Sequence, residues 1–181
     1  SYNTSLFNIL LCLLFCFTSN SILASEAKHL QYGHQAFEKR EFLKALHHFQ
    51  EATNYHKTTG EGFFWIGHMM EKGLLFSKDL DGALKKYRQS ANAGYFDSQV
   101  RLARFYRGGL GIRRDPVRAL MWYVIAITNP NIVEPWKKDL VLWRKRKLEK
   151  TLPSLSVLKA SEMATKCICL LYTSPSPRDE Q

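Results

Sequence analysis

Gly109-Leu110-Gly111-Ile112-Arg113-Arg114-Asp115-Pro116-Val117-Arg118-Ala119-Leu120-Met121-Trp122-Tyr123 is the stretch whose reading decides the fold. The glycines punctuate the backbone, and Asp115 stands where a carboxylate can accept the free N–H groups of a first helical turn. Pro116 follows at the position where a missing N–H costs nothing. Ala119, Tyr123 and Ile127 then recur at four-residue steps, one face of a helix. The same signature occurs 36 residues upstream, where Gly73, Asp79, Ala83, Leu84 and Tyr87 correspond to Gly109, Asp115, Ala119, Leu120 and Tyr123. A fixed offset of this size across two apolar-periodic segments predicts stacked helical hairpins. Such arrays present a long side-chain-lined surface to a partner and are seldom built for chemistry.

Working outward, the segment 96–106 supplies the first helix of the last hairpin, with Val100, Leu102, Ala103, Phe105 and Tyr106 as its apolar positions. It stops at Gly108-Gly109. The Gly-x-Gly that follows is not a dinucleotide fingerprint, because the preceding strand and the third glycine are both missing. Upstream, Gly33, Ala45, Phe49 and Ala52 sit at tetratricopeptide spacing, with a shorter link between paired helices than in the later units. Beyond Asn129-Pro130-Asn131, a closing helix is expected over 135–152 and another over 154–167. Trp136, Leu140 and Trp143 make a stripe expected to cover the last repeat, since a terminal hairpin otherwise leaves an apolar face in water.

Gly109-x-Gly111-Ile112-x-x-Asp115, followed by Ala119-Leu120-Met121-Trp122-Tyr123-Val124-Ile125-Ala126, resembles the Sel-one-like repeat, an α/α solenoid family related to tetratricopeptide repeats. The unit before it departs from the pattern, with Leu75 in place of the second loop glycine and Lys86 in place of the tryptophan. The resemblance covers residues 29–128 and is most specific in the last unit. It implies an all-α, right-handed α/α solenoid of about three helical hairpins plus C-terminal capping helices. The expected divisions are a tetratricopeptide-like hairpin over 29–58, Sel-one-like repeats over 59–94 and 95–130, and capping helices over 132–168. It also implies an adaptor or regulator that binds a protein or peptide, in a bacterial source.

Both ends are set apart from the fold. The apolar run Leu6–Phe17 gives way to small residues around Ala24-Ser25-Glu26-Ala27, as in a cleaved export signal over 1–24 with cleavage after residue 24 or 27. The run is too short to cross a bilayer comfortably as a helix. Neither Cys12 nor Cys16 follows the small residue that a lipoprotein site needs. Residues 169–179 resemble a translated sequencing adapter, so 169–181 are expected to be a non-native tail. No cysteine lies between Phe17 and Lys166, so an exported domain, periplasmic or extracellular, must be held by its apolar core.

Aligning Gly33, Gly67 and Ala103 puts Gln31, Trp65 and Arg101 in one column and His34, His68 and Arg104 in the next, with Phe64, Val100 and Arg107 nearby. Tryptophan and arginine dominate binding hot spots, and guanidinium groups pair with carboxylates, so these columns are the expected partner groove, suited to acidic segments. The alternative is that Phe64 and Trp65 are core and the arginines a solvated rim. The second feature is the basic closing helix. There Lys137, Lys138, Arg144, Lys145, Arg146, Lys147 and Lys150 outnumber Glu134, Asp139 and Glu149. It reads as a soluble face around an apolar stripe, or as a contact for an anionic membrane surface or an acidic protein.

The formal net charge of +10 also suits nucleic acid, but an export signal argues against that partner. Adjacent His47 and His48 point apart on a helix, and His34 and His68 have no Asp or Cys nearby in the pattern, so no metal or other cofactor is expected. No nucleophile, base and orienter cluster, so an enzyme is not expected. A cell-envelope ligand binder or hydrolase is the alternative class; the paired cysteines of the family's cysteine-rich members are absent.

Overall fold

The computed structural model describes residues 25–55, 59–132 and 134–172. The expected export signal at 1–24 and the last residues, 173–181, lie outside the described residues. The chain divides into two compact units, Ser1–Thr58 and Thr59–Gln181. Among the described residues there is no strand, and the architecture is a helical-repeat solenoid.

The first unit is a hairpin of α1 (25–38) and α2 (Phe42–Thr53). Its tight turn has Arg40 at φ 60, and the Glu41 N–H returns to the Ala36 carbonyl at 2.9 Å. Ala45, Phe49 and Ala52 are fully buried along α2. They meet α1 where Gly33 leaves room, since a Cβ at Gly33 would stand 2.5 Å from the Phe49 ring. A hydroxyl pair, Ser25 with Tyr55 at 2.6 Å, ties the start of α1 to the chain after α2.

The second unit holds α3 (Glu61–Lys72), α4 (Leu80–Asn92), α5 (Phe96–Gly108), α6 (Pro116–Thr128), α7 (Pro135–Glu149) and α8 (Ser154–Tyr172). Helices α3/α4 and α5/α6 are two hairpins; α4 also packs on α5, and α6 is covered by α7 and α8. The repeated signature does what its chemistry demands. Asp79 accepts from the Gly82 N–H at 2.8 Å and Asp115 from the Arg118 N–H at 2.9 Å, so each caps the second helix of its hairpin. Gly109 stops α5 in the left-handed conformation, φ 67. Ala83, Tyr87 and Ala91 on α4, and Ala119 and Tyr123 on α6, are fully buried.

Buried polar ties close each hairpin. The Ser90 hydroxyl on α4 donates to the Gly60 carbonyl just before α3 at 2.6 Å, and Ser98 donates to Ser90. Asn129, at the end of α6, donates to the Gly94 carbonyl just before α5 at 2.8 Å and to the Gln99 side chain at 2.9 Å. In both hairpins a polar side chain in the last turn of the second helix or at its C-cap satisfies a carbonyl that precedes the first.

The C-terminal helices depart from expectation in two ways. Helix α7 ends at Glu149 rather than at 152, because the Thr151 and Leu152 N–H groups turn back to Leu148 and Glu149 ahead of Pro153. Its Trp136, Leu140 and Trp143 do not cover the last repeat. They are exposed, and Val141 and Leu148 are buried instead. Helix α7 carries two apolar stripes, and the smaller one faces inward. The rest of α6 is covered by α8, where fully buried Ala160 and Ala164 permit close approach. Helix α8 continues past 167 to Tyr172, and Cys167, Ile168 and Leu171 pack against the core. The first turn of the segment set aside at 169–181 thus completes a core-facing helix, since Leu171 falls one heptad after Ala164.

Candidate protein-binding face

Helices α3 and α5 are the first helices of the two hairpins in the second unit, and most of the expected groove residues lie on them. Phe64 is buried, with its ring 5.3 Å from Tyr95, 5.7 Å from Tyr87 and 5.5 Å from Trp65. It is core, as the packing alternative held. Trp65 is half-buried, and its indole N–H donates to the Glu61 carboxylate one turn earlier at 3.3 Å. His68 is half-buried and stacked at 6.2 Å on Phe64.

Glu71 organises the polar side of this face. One of its oxygens accepts from the Tyr87 hydroxyl at 2.6 Å, and the other accepts from the Arg101 guanidinium at 3.4 Å. The ion pair joins α3 directly to α5. Burial, then the Glu71 hydrogen bond and charge, push the Tyr87 phenol far above its ordinary range, so it remains a donor. Burial first and then the Arg101 charge push His68 below its usual value, against the pull of Glu71. Arg104 and Arg107 are exposed on α5 and pair with no carboxylate among the described residues.

The arrangement is therefore a packed aromatic patch on α3, a partly buried ion pair between hairpins, and two open guanidinium groups on α5. Sequence columns contained Trp65, His68, Arg101, Arg104 and Arg107, but not Glu71 or Tyr87 in a polar role. Columns compare equivalent positions, whereas Glu71 and Arg101 are not equivalent in the repeat. The available signal was weaker: an acid one turn after His68, opposite the tyrosine that recurs in the partner helix.

Gln31 and His34 belong to the first unit, where Gln31 is exposed and His34 is half-buried with its ring edge-on to Phe49 at 5.5 Å. His29 and His48 bring their Nδ1 atoms within 3.4 Å, a pairing the spacing did not suggest. His47 does not turn wholly away, since its ring lies 5.4 Å from that of His48. Among the described residues, no three His, Cys, Asp or Glu side chains converge as a metal site would require.

The seven basic residues expected near the closing helix divide by surroundings. Lys137 is half-buried between Glu134 at 3.1 Å and Asp97 at 3.5 Å, and Lys145 pairs with Glu149. Arg144 is half-buried; Lys138, Arg146, Lys147 and Lys150 are exposed.

Three segments of the chain, residues 23–54, 64–95 and 96–131, match the Sel1 repeat family model, and together they span more than half of the sequence. The chain belongs to the Sel1 repeat family. The first match takes in the hairpin read as tetratricopeptide-like, so its short turn at 39–41 is accommodated within the Sel1 pattern. Among solved structures the chain is similar to c5321, a protective antigen present in uropathogenic Escherichia coli strains and displaying an SLR fold. The two superpose with a TM-score of 0.71 at 24% identity, over 87% of this chain and 32% of the antigen. The Sel1 chain described here thus spans about a third of that protein's length, and the likeness is one of fold. No curated protein matches the sequence.

Proposed function

We propose that this Sel1 repeat protein is an exported adaptor or regulator that binds a carboxylate-bearing protein or peptide on the α3/α5 face. Repeats of this family are generally protein–protein interaction modules, and the helical scaffold is typically non-enzymatic. The observation that carries the reading is the pair of open guanidinium groups, Arg104 and Arg107, on α5, the helix that Arg101 ties to α3 through Glu71. The Glu71–Arg101 pair holds the two helices together, so the remaining arginines stand on a preorganised surface. The test is affinity capture from an envelope extract with the chain and with Arg104→Glu/Arg107→Glu, both folded by circular dichroism. Proteins held by the first and released by the second support the face; equal capture by both contradicts it.

Export, into the periplasm of a bacterium, is part of the proposal. It rests on the apolar run Leu6–Phe17 and the small residues around Ala24 and Ala27 that follow it. Of the two cleavage sites, the one after Ala24 keeps every described residue of α1. Cleavage after Ala27 removes buried Glu26 and the Ser25–Tyr55 hydrogen bond. The mass of the mature protein from an exporting host should place its first residue at Ser25. A mature form beginning at Lys28, or an unprocessed chain, would contradict this.

A further inference from the structure

Helix α7 leaves an apolar stripe in water that no hairpin uses. Trp136, Leu140 and Trp143 are exposed by 60%, 39% and 58%. At about 100° per residue, these three and Lys147 fall in one line along the helix, with Lys137 and Arg144 along one edge and Arg146 and Lys150 along the other. The Lys147 amine lies 5.1 Å from the centre of the Trp143 ring, and the Lys137 amine 5.9 Å from that of Trp136. Trp143, Arg146, Lys147, Glu149 and Lys150 line an open pocket of about 500 Å³ at the C-terminal end of the stripe.

Three features decide what kind of surface this fits. Indole rings with ammonium groups at their rims match the boundary between hydrocarbon and head groups, where the ring lies in the apolar layer and the amine reaches phosphate. Helix α7 carries six Lys and Arg against two acids, one of which, Glu149, already pairs with Lys145, so its field complements an anionic sheet. Lys147 stands within the apolar line itself. The centres of protein interfaces are depleted of lysine, whereas a lipid phosphate accepts it there. No helix among the described residues is long and apolar enough to cross a membrane, so the contact is peripheral.

We propose that α7 is an interfacial helix that docks on an anionic phospholipid surface. Trp136, Leu140 and Trp143 enter the head-group boundary, and Arg146, Lys147 and Lys150 meet lipid phosphates. This inference stands apart from the α3/α5 face and survives if that face binds nothing.

The test is co-sedimentation of the full chain with phosphatidylcholine vesicles, with or without about one third phosphatidylglycerol. It is run from about 0.1 M to about 1 M salt, which shortens the Debye length from ~10 Å to ~3 Å. Two variants, Trp136→Ala/Trp143→Ala and Arg146→Glu/Lys147→Glu/Lys150→Glu, change exposed side chains, and circular dichroism checks their fold. Retention on the anionic vesicles should fall with salt and weaken about tenfold or more in each variant. Lipids brominated on their acyl chains should quench tryptophan fluorescence in the native chain more than in the double tryptophan variant. Three results overturn the proposal: no retention on anionic vesicles, retention equal in both variants and the native chain, or variant-sensitive binding to polyglutamate without vesicle binding. The second would place the contact outside the α7 stripe, and the third would make α7 a docking site for an acidic protein.

Discussion

Gly33 and Gly67 hold equivalent places in their hairpins, yet a methyl group would be received differently at each. At Gly33 the new Cβ would sit 2.5 Å from the ring of fully buried Phe49. At Gly67 it would meet Tyr87 at 3.1 Å and the Ala83 carbonyl at 3.2 Å, and the equivalent position in the next hairpin is already Ala103. Gly33→Ala should therefore cost roughly 1–3 kcal/mol by overpacking. Gly67→Ala should stay within about 1 kcal/mol, since the gain in helix propensity offsets a tight contact. Urea unfolding of the two variants checks this, and the reverse order would refute the packing described for the hairpins. His68 supplies a pH prediction. Its folded-state value lies below the ordinary 6.5, so the unfolded chain takes up the proton first as pH falls. Its contribution is intact above pH 6.5 and is lost as pH falls from there through the lowered value. His68→Gln should flatten this part of the stability profile; identical profiles for the two proteins would remove His68 from it. At this scale the sequence was readable wherever the partner is local. Asp115 caps the helix it precedes, whereas Glu71 meets Arg101 thirty residues away and no spacing announces it.

At the scale of elements, the repeated hairpins were legible because cap, glycine stop and four-residue step all agree in them. Helix α7 was legible as a helix and not in its orientation. Its sequence has the Trp136–Leu140–Trp143 line and the Val141–Leu148 line, and periodicity ranks the larger residues first. The position of α8, with buried Ala160 and Ala164 on α6, leaves α7 only its narrower line to bury. Leu148→Ala should therefore cost about 2–5 kcal/mol. Trp136→Ala and Trp143→Ala, which alter exposed side chains, should stay within about 0.5 kcal/mol. Thermal or urea unfolding of the three single variants separates these outcomes. A large loss at either tryptophan would show that the stripe is packed in the folded protein.

For the molecule as a whole, the 36-residue offset between Gly73 and Gly109 was enough to name the architecture, and the Sel1 family match extends the repeat to the first hairpin. Function was legible only as a class. A solenoid's binding residues are free of the packing rules that make its core periodic, so Arg104 and Arg107 carry no motif. The repeat columns mark them as groove positions; the fold adds that they stay exposed on α5 while Arg101 is tied to Glu71. A photoreactive residue in place of Arg104, compared with one in place of Lys85, an exposed position on α4, tests the central claim most directly. In living cells, the chain carrying the probe at 104 should yield a discrete cross-linked protein adduct that the probe at 85 does not. The same adduct from both positions, or adducts from 85 alone, would contradict a partner-binding face on α3 and α5.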